Sequence, residues 1–220
     1  MADNMRIELI SVVGVFDQTK FTRSFPLTGE RVREIEATLN EVIQGAEGVS
    51  ERGPTKIISV PRLQIDILLD SQRIEMRRRF PPPPEELGSE MTDLFFAMLN
   101  SFNTNVNEIP WVRTGYNFNL TIQTSGPAIE KLAQESLSQD FRGKLGSPVK
   151  GAATWLWLDE SEAVHWLRLE PHRNDPSSER VTVVSNFTEE GGTLASAENI
   201  KSKQVAYWTK LNDLLHRIGL

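Results

Sequence analysis

The stretch Trp111-Val112-Arg113-Thr114-Gly115-Tyr116-Asn117-Phe118-Asn119-Leu120-Thr121-Ile122-Gln123 decides the fold. Val112, Tyr116, Phe118, Leu120 and Ile122 fall on one side by period two, and Arg113, Asn117, Asn119 and Thr121 fall on the other. That alternation predicts a long strand with one face in a core and one facing away from it. The strand is expected to be regular, with Gly115 as a position that would tolerate a bulge.

The neighbouring segments supply partners for this strand. Asn103 to Glu108 is a polar connector that marks the midpoint of the architecture. Before it, Ser89 to Phe102 reads as a capped helix with Met91, Leu94, Phe95, Met98, Leu99 and Phe102 on its apolar stripe. Lys56 to Phe80 reads as two extended arms turning at Asp70-Ser71, with Pro61 at an edge or bulge. Ile74 and Met76 face one way; Arg73, Glu75, Arg77 and Arg79 face the other. Met5 to Phe16 is a strand with Ile7, Leu9, Val13 and Val15 on one face and Ile10 and Val12 on the other, which predicts cover on both sides. Thr28 to Gln44 has helical spacing and ends at Gly45 and Gly48.

After the deciding strand, a helix is expected over about Pro127 to Phe141. Val149 to Asp159 and Glu162 to Glu170 form a hairpin around Asp159-Glu160-Ser161. Arg180 to Phe187 is a further strand, and Leu194 to Arg217 is the last helix. Tight turns between arms favour antiparallel pairing, so the helices should share one face. The expected fold is α+β: a curved, mostly antiparallel sheet with helices on one face. Residues 1–220 read as a single domain, with two β-α-β-β-α-like halves at about 1–104 and 105–220.

The chain has 220 residues, no cysteine and a formal net charge of −6. The missing cysteines exclude disulfides, thiolate zinc sites, iron–sulfur clusters and cysteine nucleophiles. The acidic balance opposes sequence-independent binding to phosphate backbones, so no nucleic-acid partner is expected. No apolar run approaches the ~20 residues of a membrane span, and the opening residues lack the pattern of a signal peptide, so no membrane partner and a cytoplasmic location are expected. There is no phosphate loop, dinucleotide fingerprint or nucleophile elbow. His165, His172 and His216 are scattered, so neither a metal nor any other cofactor is expected.

Two constellations remain. Arg113, Asn117 and Asn119 share the polar side of one strand and form a candidate ligand-binding face, with arginine offering a fork of donors to an anion. Asp66 and Glu75 stand ready to neutralise nearby arginines across strands, which is the plainer reading of that face. Trp155 and Trp157 lie on one side of their strand, Leu156 and Leu158 on the other, and Trp166 on the neighbouring arm. These three tryptophans are either part of a two-sided core or a candidate interface. The string Phe80-Pro81-Pro82-Pro83-Pro84-Glu85-Glu86 is similar to the ligand core read by EVH1 domains, and otherwise Pro81 to Pro84 is expected to serve as a stiff, exposed connector outside the sheet. The leading expectation is a non-catalytic module that binds a protein partner or a second copy of itself as a homodimer. The alternative is an enzyme or small-ligand protein that holds an anion on the concave face of the sheet.

Overall fold

Two long strands, β1 (Met5–Phe16) and β6 (Trp111–Gln123), lie side by side at the centre of the sheet. The computed structural model describes residues 4–17, 47–52, 55–70, 72–101, 111–128, 152–175, 177–191 and 196–220, with 33, 37, 40, 130, 132, 144 and 145 as single positions. Within these, the chain adds β2 (Glu47–Arg52), β3 (Thr55–Val60), β4 (Ile65–Leu69), β5 (Arg73–Arg79), α1 (Glu90–Ser101), β7 (Thr154–Asp159), β8 (Val164–Pro171), β9 (Arg180–Glu190) and α2 (Ala197–Arg217). The nine strands form one sheet in the order β2-β3-β4-β5-β1-β6-β9-β8-β7. Every neighbouring pair is antiparallel. Outward from the central pair, both sides run in reverse chain order, β5-β4-β3-β2 on one and β9-β8-β7 on the other.

The helices occupy one face, and the protein is α+β with a curved, open antiparallel sheet. α1 packs on β5 and α2, and α2 packs on β6. Alternation places Tyr116, Phe118, Leu120 and Ile122 of β6 under the helices, each at most 2% exposed. Ile10, Val12, Ile67, Ile74, Met76, Val183 and Phe187 complete that layer. From α2, Ile200, Gln204, Tyr207, Trp208, Leu211 and Leu215 point into it, at the three- and four-residue spacing of one helical face. Ser196 starts this helix by accepting the Asn199 amide on its side chain at 3.1 Å. No helix among the described residues is long and apolar enough to cross a membrane.

Three details depart from the sequence expectations. The β1–β6 register shifts twice, and neither shift is at Gly115: one lies between Ile7 and Leu9, which leaves Glu8 as the extra residue of β1, and one between Val15 and Phe16, which leaves Val112 as the extra residue of β6. Ile7 therefore joins Ile10 and Val12 in the core, while Leu9, Val13 and Val15 face away from the helices. The arm expected from Lys56 is two strands, because Pro61–Leu63 forms a 3-10 turn and Gln64 closes it in the left-handed region at φ 55°. Gly48 lies inside β2 instead of ending a helix. The helix expected over 28–44 lies largely outside the described residues, of which Arg33, Ala37 and Asn40 are helical. In the helix expected over 127–141, Ala128, Glu130 and Leu132 are helical and the rest is outside them too.

The four prolines leave the sheet as expected, but they are not freely exposed. Pro81 and Pro84 are buried, and the 84–86 turn packs on α2. A polyproline ligand must present its prolines to a groove, so the string is a structural connector here.

Gly14 marks a close approach. A Cβ there would meet Cζ3 of Trp111 at 2.3 Å, well inside contact distance. Trp111 also packs edge-on to Phe16, with centroids 6.1 Å apart. Gly14→Ala is expected to cost about 1–3 kcal/mol by forcing the indole aside. Urea unfolding of the variant checks this, and an unchanged midpoint would contradict it.

Candidate functional site

The face opposite the helices carries the site. Because directly paired residues share a face, a single row crosses it: Asp66, Arg77, Ser11, Asn117, Asn186, Trp166 and Trp157 are successive partners. The adjacent row runs Leu9, Asn119, Val184, Arg168 and Trp155. The sheet's curvature turns the middle of this face into a concavity of about 550 Å³. Arg113, Asn117 and Asn119 all line it, as do Arg73, Glu75 and Arg77 from the neighbouring hairpin. The half-buried Leu9, Val13 and Val15 form its apolar part. The two-sided apolar pattern of β1 thus has a helical layer on one side and this shallow hollow on the other.

The polar residues here are already engaged with one another. Asn117 donates from Nδ2 to Ser11 Oγ at 2.8 Å and accepts a short hydrogen bond from Asn186 Nδ2 on Oδ1. Thr188 Oγ1 donates to Asn186 Oδ1 at 2.5 Å. Arg77 is bidentate to Glu75, with Nε at 2.7 Å and Nη2 at 2.9 Å. Arg79 reaches Asp66 at 2.5 Å, and Asp66 also accepts from Ser59 Oγ at 2.8 Å. Arg113 pairs with Glu190 at 3.0 Å across β6 and β9. Each arginine of the floor named here has a carboxylate, so the hollow presents matched pairs rather than a free positive field.

At the outer end of the same face stand the tryptophans. Trp155 is 51% exposed and Trp157 is 66% exposed. Trp166 is half-buried beside them. Trp155 meets Trp166 edge-on at 5.6 Å and Trp157 at 6.4 Å, and the Arg168 guanidinium lies 5.6 Å over the Trp155 ring. On the other side of β7, Leu156 packs against the core. Among the described residues, Trp155 and Trp157 stand at the surface rather than inside a two-sided core.

A second polar group, unmarked by any sequence motif, is buried under the helices. Glu189 is 7% exposed and accepts from Tyr207 Oη at 2.5 Å and from Lys203 Nζ at 2.6 Å. Burial, reinforced by Glu189, holds the Tyr116 and Tyr207 hydroxyls protonated well above the usual phenol range. His165 stacks on Phe187 at 3.9 Å and shares a hydrogen bond of 2.9 Å with Ser185 Oγ. Alternation would have placed Glu189 on the core side of β9, but its partners come from α2, far away in sequence. His165 faces the helices, away from the concavity, and His172 bonds Thr182 Oγ1 at 3.0 Å. Among the described residues no cluster of histidines and carboxylates is arranged to hold a metal.

Burial lowers the His165 pKa from 6.5 to about 4, with Glu160 opposing that shift and Lys210 adding to it. The native imidazole is neutral where an unfolded one begins to take a proton. Stability is therefore unaffected above about pH 6.5 and falls as the pH drops towards 4, by about 3 kcal/mol in total from this group. His165→Gln should flatten that segment of the stability–pH curve relative to wild type. Parallel curves for the two proteins between pH 6.5 and 4 would contradict it.

No protein-family model matches the chain, and no curated protein matches it. Among solved structures, Methanococcus jannaschii TBP is similar, with 11% sequence identity and a TM-score of 0.36. The match covers 94% of this chain and 99% of that one.

Proposed function

We propose that the protein is a non-catalytic module that binds another protein chain across the open face of its sheet. The observation that carries this reading is the exposure of Trp155 and Trp157 on the same face as the concavity. Large aromatics left in water at the rim of a polar surface are the usual anchors of protein interfaces. Asn117, Asn119 and Asn186 both donate and accept, which suits the peptide groups of a bound chain. A patch of this kind adds little to the isolated fold, whereas it gains apolar burial once a partner covers it.

Photo-crosslinking tests the reading. A crosslinking amino acid is placed at Trp157 or Asn119 on the open face, and at Thr209 or Asp213 on the exposed side of α2. Adducts with protein chains are expected from the first two positions and not from the second two. Equal labelling from both sets, or none from the open face, would overturn the reading.

The size of the concavity favours a second reading, since about 550 Å³ lies within the ~300–1,000 Å³ range of small-molecule sites. In it, Arg113 would exchange Glu190 for an anionic ligand, with Asn117 and Asn119 orienting it. Titration with inorganic phosphate and acetate, followed through the side-chain amide resonances of Asn117 and Asn119, separates the two. Saturable shifts support the ligand site, and no response leaves the protein-binding reading in place.

A further inference from the structure

We propose that the open face carries a separate small-molecule site: a hollow at the opposite end of β6 from Arg113, built by Arg6, Arg180 and His172, that takes the phosphate group of a small organic phosphate. The site goes beyond the protein-binding reading and does not depend on it.

Strand pairing fixes its place. Thr121 and Gln123 follow Asn117 and Asn119 on the open side of β6. Across the sheet, Arg6 of β1 is the partner of Thr121, and Thr182 and Arg180 of β9 are the partners of Thr121 and Gln123. The backbones of β1 and β9 are two strand spacings apart here, about 10 Å, so an anion between them lies within reach of both arginines. Arg6 and Arg180 line one hollow of about 350 Å³, together with Asn4, Glu8, Gln123 and His172.

The backbone is irregular where it sets Arg6. The extra residue Glu8 bulges β1 two positions on, and its carbonyl accepts the Phe80 amide at 2.9 Å. Phe80 is held in the left-handed region at φ 46°, which is costly for a bulky side chain. Its ring stays half exposed, with the Arg6 guanidinium 4.5 Å above the centroid. Bulges re-aim side chains, and strained backbone positions of this kind collect at functional sites.

The opposite wall is pinned as firmly. The Thr124 amide and hydroxyl both donate to the Glu179 carbonyl, at 2.7 and 2.9 Å, which ties the start of β9 to the end of β6. Arg180 Nε donates to a neutral group, Gln123 Oε1, at 3.2 Å. Glu179 accepts from Gln123 Nε2 at 3.5 Å, and no carboxylate pairs with Arg180 among the described residues. In the central concavity, by contrast, Arg77 and Arg113 each hold a carboxylate. His172 Nδ1 bonds Thr182 Oγ1 at 3.0 Å, which anchors the ring and leaves Nε2 without a protein partner among the described residues.

Charge selects the ligand. In a chain of −6, this hollow gathers two guanidiniums and an imidazole against one carboxylate, Glu8, which lies 3.5 Å from Arg6. One guanidinium fork satisfies a carboxylate ligand. A phosphate monoester brings close to two negative charges and three acceptor oxygens, enough for both arginines and His172. The volume exceeds that of a bare anion and sits at the small end of ligand sites, which suits a phosphate on a small organic body.

Calorimetric titration of the full chain with phenyl phosphate and with benzoate, at constant ionic strength, tests the site. Phenyl phosphate should bind saturably at millimolar concentrations, and benzoate at least about tenfold more weakly. The side-chain amide resonances of Gln123 should move with phenyl phosphate while those of Asn117 stay. Arg6→Gln and Arg180→Gln replace exposed side chains and leave the core untouched. With unchanged circular dichroism spectra, each should weaken binding about tenfold or more, the effect of losing one charge-assisted hydrogen bond. Arg62→Gln makes the same charge change at the exposed turn between β3 and β4 and should have no effect. No saturable binding, benzoate binding as tightly as phenyl phosphate, equal weakening by Arg62→Gln, or shifts at Asn117 in place of Gln123 would each overturn the proposal. Crosslinking at position 157 reads the protein-binding face alone, so failure of either one is seen without the other.

Discussion

Trp208→Ala is expected to lower the unfolding free energy by about 3–5 kcal/mol, the range for truncating a large buried aromatic. The indole is 0% exposed and lies 5.7 Å from Phe118, where α2 meets the centre of the sheet. Helix and sheet are separate elements, so a hole between them collapses only in part. Trp208→Phe separates packing from hydrogen bonding. The buried indole nitrogen has no hydrogen-bond partner among the described residues. Phenylalanine therefore removes an unsatisfied donor while keeping most of the ring, and should cost about 1 kcal/mol. Equal losses for the two variants would show that the nitrogen, not the ring, matters.

The second large effect is expected at Glu189. Glu189→Ala removes the acceptor of both Tyr207 and Lys203 and should cost about 3 kcal/mol, at the lower end for a broken buried pair. The lower end applies because the Lys203 side chain is 34% exposed and can return to water. The Tyr207 hydroxyl cannot do so, as that residue is 3% exposed. Glu189→Gln keeps an acceptor for Tyr207 and loses the charge, so it should fall between alanine and wild type. Thermal unfolding of the three proteins tests the order. Glutamine as damaging as alanine would assign the effect to charge alone.

How far the sequence could be read depended on how local the cause was. The extents of β6 and β1 were legible, because alternation runs over a dozen positions, but the two register shifts put Ile7 and Val112 off the pattern. The faces of β6 followed, so Arg113, Asn117 and Asn119 lie where the pattern placed them. β2 was missed because Glu47-Gly48-Val49-Ser50-Glu51-Arg52 offers a single branched apolar residue to read. β3 and β4 ran together because their turn has no glycine, and Gln64 takes the left-handed position instead. The bulge at Glu8 moved Ile7 to the other face, a change that one extra residue makes and composition does not signal. Ser11 and Asn186 complete the polar row with Asn117, yet they were not expected there, since strand order rather than strand pattern makes them neighbours. For the tryptophans, alternation gave the correct side of β7. It could not say whether anything covered them, which depends on the layers assembled around the strand.

The most direct measurement is urea unfolding of the Trp155→Ala, Trp157→Ala double variant beside wild type, at a dilution where both sediment as monomers. If these side chains are held for a partner, removing them costs the isolated chain little. The unfolding free energies should then agree within about 1 kcal/mol, the scale of the ring stacking and the Arg168 cation–π interaction that the two indoles make within the chain. A loss of about 3 kcal/mol or more, the scale of a core truncation, would place both tryptophans among the residues that hold the fold together and contradict a face kept for binding.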